Sequence, residues 1–123
     1  MPTPQMTPEA QQAYDEALRR IEECKGKELG GKILELSRLG LTILPQEIGQ
    51  LTALKGLDLS FNQLETLPPE FGKLTSLLYL DLSNNVLKTL PSELNRFTLS
   101  WLFLHFNPGL GLPSQVLGPK LHE

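Results

Sequence analysis

The 123 residues include one cysteine, one tryptophan and two histidines, and aromatic residues make up only 7% of the chain. A lone Cys24 excludes a disulfide framework and a cysteine-based zinc site, and it fits a reducing, cytoplasmic setting. His105 and His122 stand far apart without metal-ligand spacing, so neither a metal nor any other cofactor is expected. Positive charge is short as well: 11 Lys and Arg against 14 Asp and Glu give a formal charge of −3. Without a basic face, neither nucleic acid nor an anionic membrane surface is an expected partner. No apolar run approaches the roughly 18 residues of a bilayer span. The opening Met-Pro-Thr-Pro-Gln-Met-Thr-Pro has no positive charge and no apolar run, unlike a signal peptide.

Leucine is what the chain has. It supplies 28 of the 123 residues, within an apolar total of an ordinary 40%. Content carried so heavily by one residue type points to a repeat. The segments beginning at Leu34, Leu57, Leu80 and Leu102 start 23, 23 and 22 residues apart, each as Leu-x-Leu. Downstream columns keep the register: Leu44-Pro45, Leu67-Pro68, Leu90-Pro91 and Leu112-Pro113, then Ile48, Phe71, Leu94 and Val116. These are the columns L-x-x-L-x-L-x-x-N-x-L of a leucine-rich repeat.

Each column has a physical reason. Leu-x-Leu alternation predicts a short strand with leucines inward and the x residues outward. Asn62, Asn85 and Asn107 form a column whose buried amides satisfy loop backbone. Pro45, Pro68 and Pro91 suit the first position of a short helical turn, with Glu47, Glu70 and Glu93 near its positive end. Gly49, Gly72 and Asn95 suit positive φ where that turn ends. One unit cannot bury enough to stand alone, so neighbours must stack and the ends need caps.

At the N-terminal end, Thr7-Pro8-Glu9 is a helix start, and Ala10, Tyr14, Ala17, Leu18 and Ile21 form an apolar stripe. Asp15 with Arg19 and Glu16 with Arg20 are expected i,i+4 pairs. The predicted organisation is a disordered N-terminus over 1–7, a helical cap over 8–28, four repeats over 29–118 and a tail over 119–123. The fold class is α/β: a short solenoid with four parallel strands on the concave face and an irregular or short-helical convex side.

The text LDLSFNQLETLPPEFGKLTSL resembles the 23-residue class of intracellular leucine-rich repeats, and the resemblance covers residues 29–118. The opening AYDEALRRIEECKGKELGGKILELSRLGLTILPQEIGQL resembles the capping helix and first repeat of bacterial Roco-type proteins, and LFLHFNPGLGLPSQVLGP resembles a closing repeat. That resemblance implies an interaction or regulatory domain that precedes a GTPase module. No GTPase region is expected within these residues, so the chain reads as a short relative or a fragment of a longer protein.

No enzyme is expected. Gly26-Lys-Glu-Leu-Gly-Gly31-Lys32-Ile33 approaches a phosphate loop but has Ile where Ser or Thr is needed, and it runs from helix to strand. Cys24 reads as a small buried hydrophobe. Asp58 and Asp81, about 4.8 Å apart on neighbouring strands, read as solvated concave-face residues before an acid–base pair.

The outward positions identify a surface. They are Ile33, Glu35 and Ser37, then Gly56, Asp58 and Ser60, then Tyr79, Asp81 and Ser83, then Trp101, Phe103 and His105. The first two rows read as small or acidic, whereas the last is aromatic. With Tyr79 beside Trp101, and with Phe106 following, this predicts an aromatic patch at one end of the sheet. Such residues dominate interface hot spots. The expected function is non-catalytic binding of a protein or peptide through Asp58, Tyr79, Asp81, Trp101, Phe103, His105 and Phe106. The same patch also suits a fold-back of residues 114–123 over the last strand, or a weak homodimer through residues 101–117. The alternative function is a regulatory fragment of a larger GTPase or effector.

Overall fold

A computed structural model describes residues 6–26 and 33–110. Most of the Gly-Lys loop, Leu112, Pro113, Val116, residues 1–5 of the expected disordered N-terminus and the whole of the 114–123 segment lie outside them. One helix, α1 (Pro8–Lys25), precedes β1 (Ile33–Glu35), β2 (Gly56–Asp58), β3 (Tyr79–Asp81) and β4 (Trp101–Phe103). The strands form one parallel sheet in the order β1-β2-β3-β4, in the register Leu34–Leu57–Leu80–Leu102. Between strands, the chain crosses the convex side in 3-10 turns at Gln46–Gln50, Pro69–Lys73 and Ser92–Arg96, with a further one at Pro108–Leu110. No helix among the described residues is long and apolar enough to cross a membrane.

α1 starts where the sequence placed it: Thr7 Oγ1 accepts a hydrogen bond from Ala10 N at 3.0 Å, and Pro8 follows in the first turn. Its buried face is Ala10, Ala13, Ala17, Ile21 and Cys24. Tyr14 and Leu18, expected on the stripe, are only half-buried, because the small side chains at 13 and 17 set the line of contact. On the wet side Glu16 takes both Arg19 and Arg20, at 2.8 and 2.7 Å, and these bonds hold its carboxyl down at about 2. The expected Asp15–Arg19 pair does not form; Asp15 accepts from Gln11 Nε2 at 3.0 Å instead. The helix is tied to the first repeat by Arg20 Nη1 donating to Glu35 O at 2.9 Å and Lys25 Nζ donating to Gln50 Oε1 at 2.8 Å.

The core is the stacked leucine columns, from Leu34 and Leu36 to Leu82 and Leu87, with Phe71 and Phe97 rings 5.8 Å apart on the convex side. Burial fades toward the fourth unit: Leu90, Leu94 and Leu102 are only partly buried, and the turn Ser92–Arg96 contains no buried residue. The asparagine column bridges units. Asn62 Oδ1 accepts from Leu39 N and Leu41 N at 3.1 and 2.9 Å, while Nδ2 donates to Leu36 O, Leu59 O and Ser60 O. Asn85 and Asn107 repeat the pattern one and two units on.

Two expectations for the turns need correction. Pro45, Pro68 and Pro91 stand one residue before the turn, with extended ψ between 140° and 154°, and their carbonyls accept from the N–H of its third residue, Ile48, Phe71 and Leu94. Gly49 and Gly72 do not have positive φ. They are glycine because the turns stack: a Cβ on Gly49 would lie 2.8 Å from both Cβ and O of Glu70, and one on Gly72 would lie 2.6 Å from Glu93 Cγ. Asn95, whose φ is not positive either, holds the same column where the neighbour in the next unit falls outside the described residues.

Gly49→Ala should therefore cost about 2 kcal/mol through overpacking. Gly26→Ala, whose new Cβ has no neighbour closer than 3.6 Å, serves as the control. Urea denaturation should show a lower midpoint for Gly49→Ala alone; equal midpoints would contradict the stacking account.

Positive φ belongs to another column. Arg38, Phe61, Asn84 and Phe106, one per repeat, have φ between 59° and 61°. The parallel ladder runs on through them, with Arg38 N bonded to Ser60 O and Phe61 N to Ser83 O, both at 3.1 Å. The left-handed residue then turns the chain so that the following leucine or asparagine points inward.

Candidate functional site

The register sets two outward rows across the sheet: Ile33, Gly56, Tyr79 and Trp101, and beside it Glu35, Asp58, Asp81 and Phe103. Alternation puts the intervening leucines in the core, so these side chains form the concave face. His105 and Phe106 continue the fourth strand's line. Trp101 is 49% exposed and Phe106 56%. Phe103, His105 and Tyr79 are half-buried.

Ring contacts run as a strip along one end of the sheet. Tyr79 lies 5.8 Å from Phe103, Phe103 6.2 Å from His105, and His105 5.1 Å from Phe106, the last two edge-on. Tyr79 and Trp101 are register partners, yet Tyr79 makes its ring contact diagonally, with Phe103. Diagonal neighbours lie within reach of aromatic side chains, so the patch is a strip where the sequence suggested a cluster about Trp101. His105 Nδ1 is buried and has no hydrogen-bond partner among the described residues.

The aspartates have a local role. Asp58 Oδ1 accepts from Ser60 N at 3.0 Å and from Ser60 Oγ at 2.6 Å, and Asp81 does the same with Ser83. Asp58 and Asp81 are thereby half-buried, not fully solvated, and Ser60 and Ser83 are buried where alternation predicted them outward. A short polar side chain that bonds the backbone two residues on is a turn device, and here it ends each strand.

Charge on this face is one-sided. No ion pair among the described residues reaches Glu35, Asp58 or Asp81. The Tyr79 hydroxyl is pushed above its ordinary value by burial first, then by Asp81, Asp58 and Glu35.

Sequence reasoning left Phe61, Arg38 and Leu78 out of this surface and passed over Ile33, which alternation had placed outward. Ile33, in a row read as small or acidic, is 68% exposed and lies over Gly56, where an added Cβ would come within 3.2 Å of it. Phe61 stands at the rim with the Arg38 guanidinium 3.9 Å above its ring. Their signal was the column position just before the asparagine, where an aromatic or arginine is unexpected on left-handed backbone. Leu78, just before β3, is exposed too.

Other chemistry does not assemble among the described residues. No group of three or more His, Cys, Asp or Glu is placed to hold a metal. Cys24 is buried on the inner face of α1.

No curated protein matches the chain. A family model described as "Leucine rich repeat" matches residues 32–87 and, in a second register, 52–108. The two matches together take in all four strands, the asparagine column and the stacked turns, and the chain belongs to the leucine-rich repeat family.

Proposed function

We propose that this chain binds a protein or peptide partner on its concave face, at the strip formed by Tyr79, Phe103, His105 and Phe106 with Trp101, Asp58 and Asp81 beside it. Leucine-rich repeat domains generally mediate protein–protein interaction and are typically non-catalytic. The observation that supports the site is the exposure of Trp101 and Phe106 on an otherwise ordered sheet end. Four parallel strands span only about 14 Å. That is small beside the roughly 800 Å² per partner of a standard interface, so micromolar affinity is expected. The single cysteine supports a cytoplasmic setting.

The test is a random peptide library panned on the intact protein, with enriched peptides titrated calorimetrically. Trp101→Ala should weaken them at least tenfold while the circular dichroism spectrum is unchanged. Peptides that bind the variant equally well would overturn the concave-face reading.

The exposed Trp101 and Phe106 also support a weak homodimer through residues 101–117, of which 111–117 lie outside the described residues. Sedimentation should show mass rising with concentration; a monomer at millimolar concentration would remove this reading. The Roco-type text of the opening segment supports the alternative of a regulatory part of a larger GTPase or effector. A reading frame that continues past Glu123 into such a domain would establish it, and one that stops there would remove it.

A further inference from the structure

We propose that the concave face takes an extended cationic segment of the form Arg/Lys-x-Arg/Lys-x-bulky apolar, with its cations over Glu35, Asp58 and Asp81 and its apolar side chain against Trp101 and Phe103. This rests on the concave-face reading above and adds the chemistry of the occupant.

The face is polarised across the strands. From β1 to β4 one row reads Glu35, Asp58, Asp81 and then Phe103, and its neighbour ends in Tyr79 and Trp101. With parallel strands about 4.8 Å apart, the carboxylates cover about 10 Å and the aromatic end begins one strand further on. A partner is therefore oriented across the strands, with its cations toward β1 and its apolar side chain toward β4.

Among the described residues no ion pair reaches that charge: the pairs lie along α1 and between Lys88 and Glu65. The cation beside Glu35, Arg20, bonds its carbonyl oxygen. The serine bonds of Asp58 and Asp81 use Oδ1 alone. All three carboxylates act on the hydroxyl of Tyr79, which places their field where the acidic and aromatic parts meet. The protein also shows the chemistry in its own rim, where the Arg38 guanidinium lies 3.9 Å over the Phe61 ring. A cation over an aromatic face is attracted by the ring quadrupole, and arginine does this most often.

Spacing fixes the pattern. An extended chain rises about 3.3 Å per residue and shows alternate side chains to one face, so positions i, i+2 and i+4 span about 13 Å. Three same-face side chains match a sheet about 14 Å across. The first two meet the acidic strands, and the third reaches the aromatic end. An acidic segment would meet like charge across the same row.

The experiment titrates the intact chain with two synthetic peptides containing Arg-Ser-Arg-Ser-Leu or Glu-Ser-Glu-Ser-Leu, each free of tryptophan, while Trp101 emission is followed. The first should bind and shift the emission, and the acidic peptide should be at least tenfold weaker. Raising salt from 0.05 to 0.5 M should weaken the first peptide at least tenfold. Glu35→Gln, which changes an exposed side chain, and Asp81→Asn, which keeps an acceptor for Ser83, should each lower affinity about three- to tenfold with melting unchanged. Equal binding of the acidic and basic peptides, indifference to both substitutions, or no response to the first peptide would each overturn the proposal. The two readings fail separately. Library peptides that depend on Trp101 but carry no cationic bias would sink this inference and leave the concave-face reading standing.

Discussion

Removal of residues 1–25 is expected to leave a chain that aggregates or fails to fold cooperatively. α1 packs on β1 and on the first 3-10 turn, and its Ala13, Ala17 and Ile21 share one buried core with Leu34 and Ile48 of those elements. A fully buried residue such as Ile21 contributes roughly 1.5–3 kcal/mol by burial alone. The helix therefore carries a share comparable to the roughly 5–15 kcal/mol by which such domains are stable. Ile21→Ala is the milder version, with an expected loss of about 3 kcal/mol in denaturant titration. A truncated chain that stays monomeric and melts cooperatively would show that α1 is not the cover of the first repeat.

Asn62→Ala should be the most damaging change in the asparagine column. It would leave Leu39 N and Leu41 N without their acceptor and Leu36 O without its donor. Asn85→Ala is expected to cost less. Leu59 O would keep Asn62, Leu82 O would keep Asn107 and Ser83 O would keep Phe61 N, so Leu64 N is the one donor left without its bond. With a buried orphan group costing about 1–3 kcal/mol, we expect about 4 kcal/mol for Asn62 and about 3 kcal/mol for Asn85. For a domain of this size the second figure lowers the melting midpoint by roughly 15 °C. Thermal melts that reverse this order, or show no loss for either variant, would contradict the bridging pattern.

The parts of the molecule written once per repeat were legible in the sequence. Leu34, Leu57, Leu80 and Leu102 locate the strands, and Asn62, Asn85 and Asn107 announce buried amides, because each column answers to one local need. What escaped reading depends on two repeats at once. Gly49 is glycine because of Glu70, a residue of the next unit, and nothing in its own segment separates that cause from a positive φ. Ser60 looked outward by alternation, but the Asp58 carboxylate draws its hydroxyl in and the strand ends there. At the surface, composition alone marked Trp101, Phe103 and Phe106, whereas the diagonal contact of Tyr79 with Phe103 is set by side-chain direction. Phe61 escaped because a phenylalanine is not expected on left-handed backbone.

That left-handed column bears on the stability the fold could reach. Asparagine, found there only at Asn84, is the residue type such backbone tolerates best after glycine. Phe61 and Phe106 occupy the equivalent positions with rings 44% and 56% exposed, where conformational strain is of order 1 kcal/mol or more apiece. Neither ring is repaid by burial in the core. A chain optimised for robustness alone would hold Asn or Gly at both sites. Phenylalanine at either site therefore draws on the thermodynamic margin of the fold, a margin that Asn or Gly would leave intact.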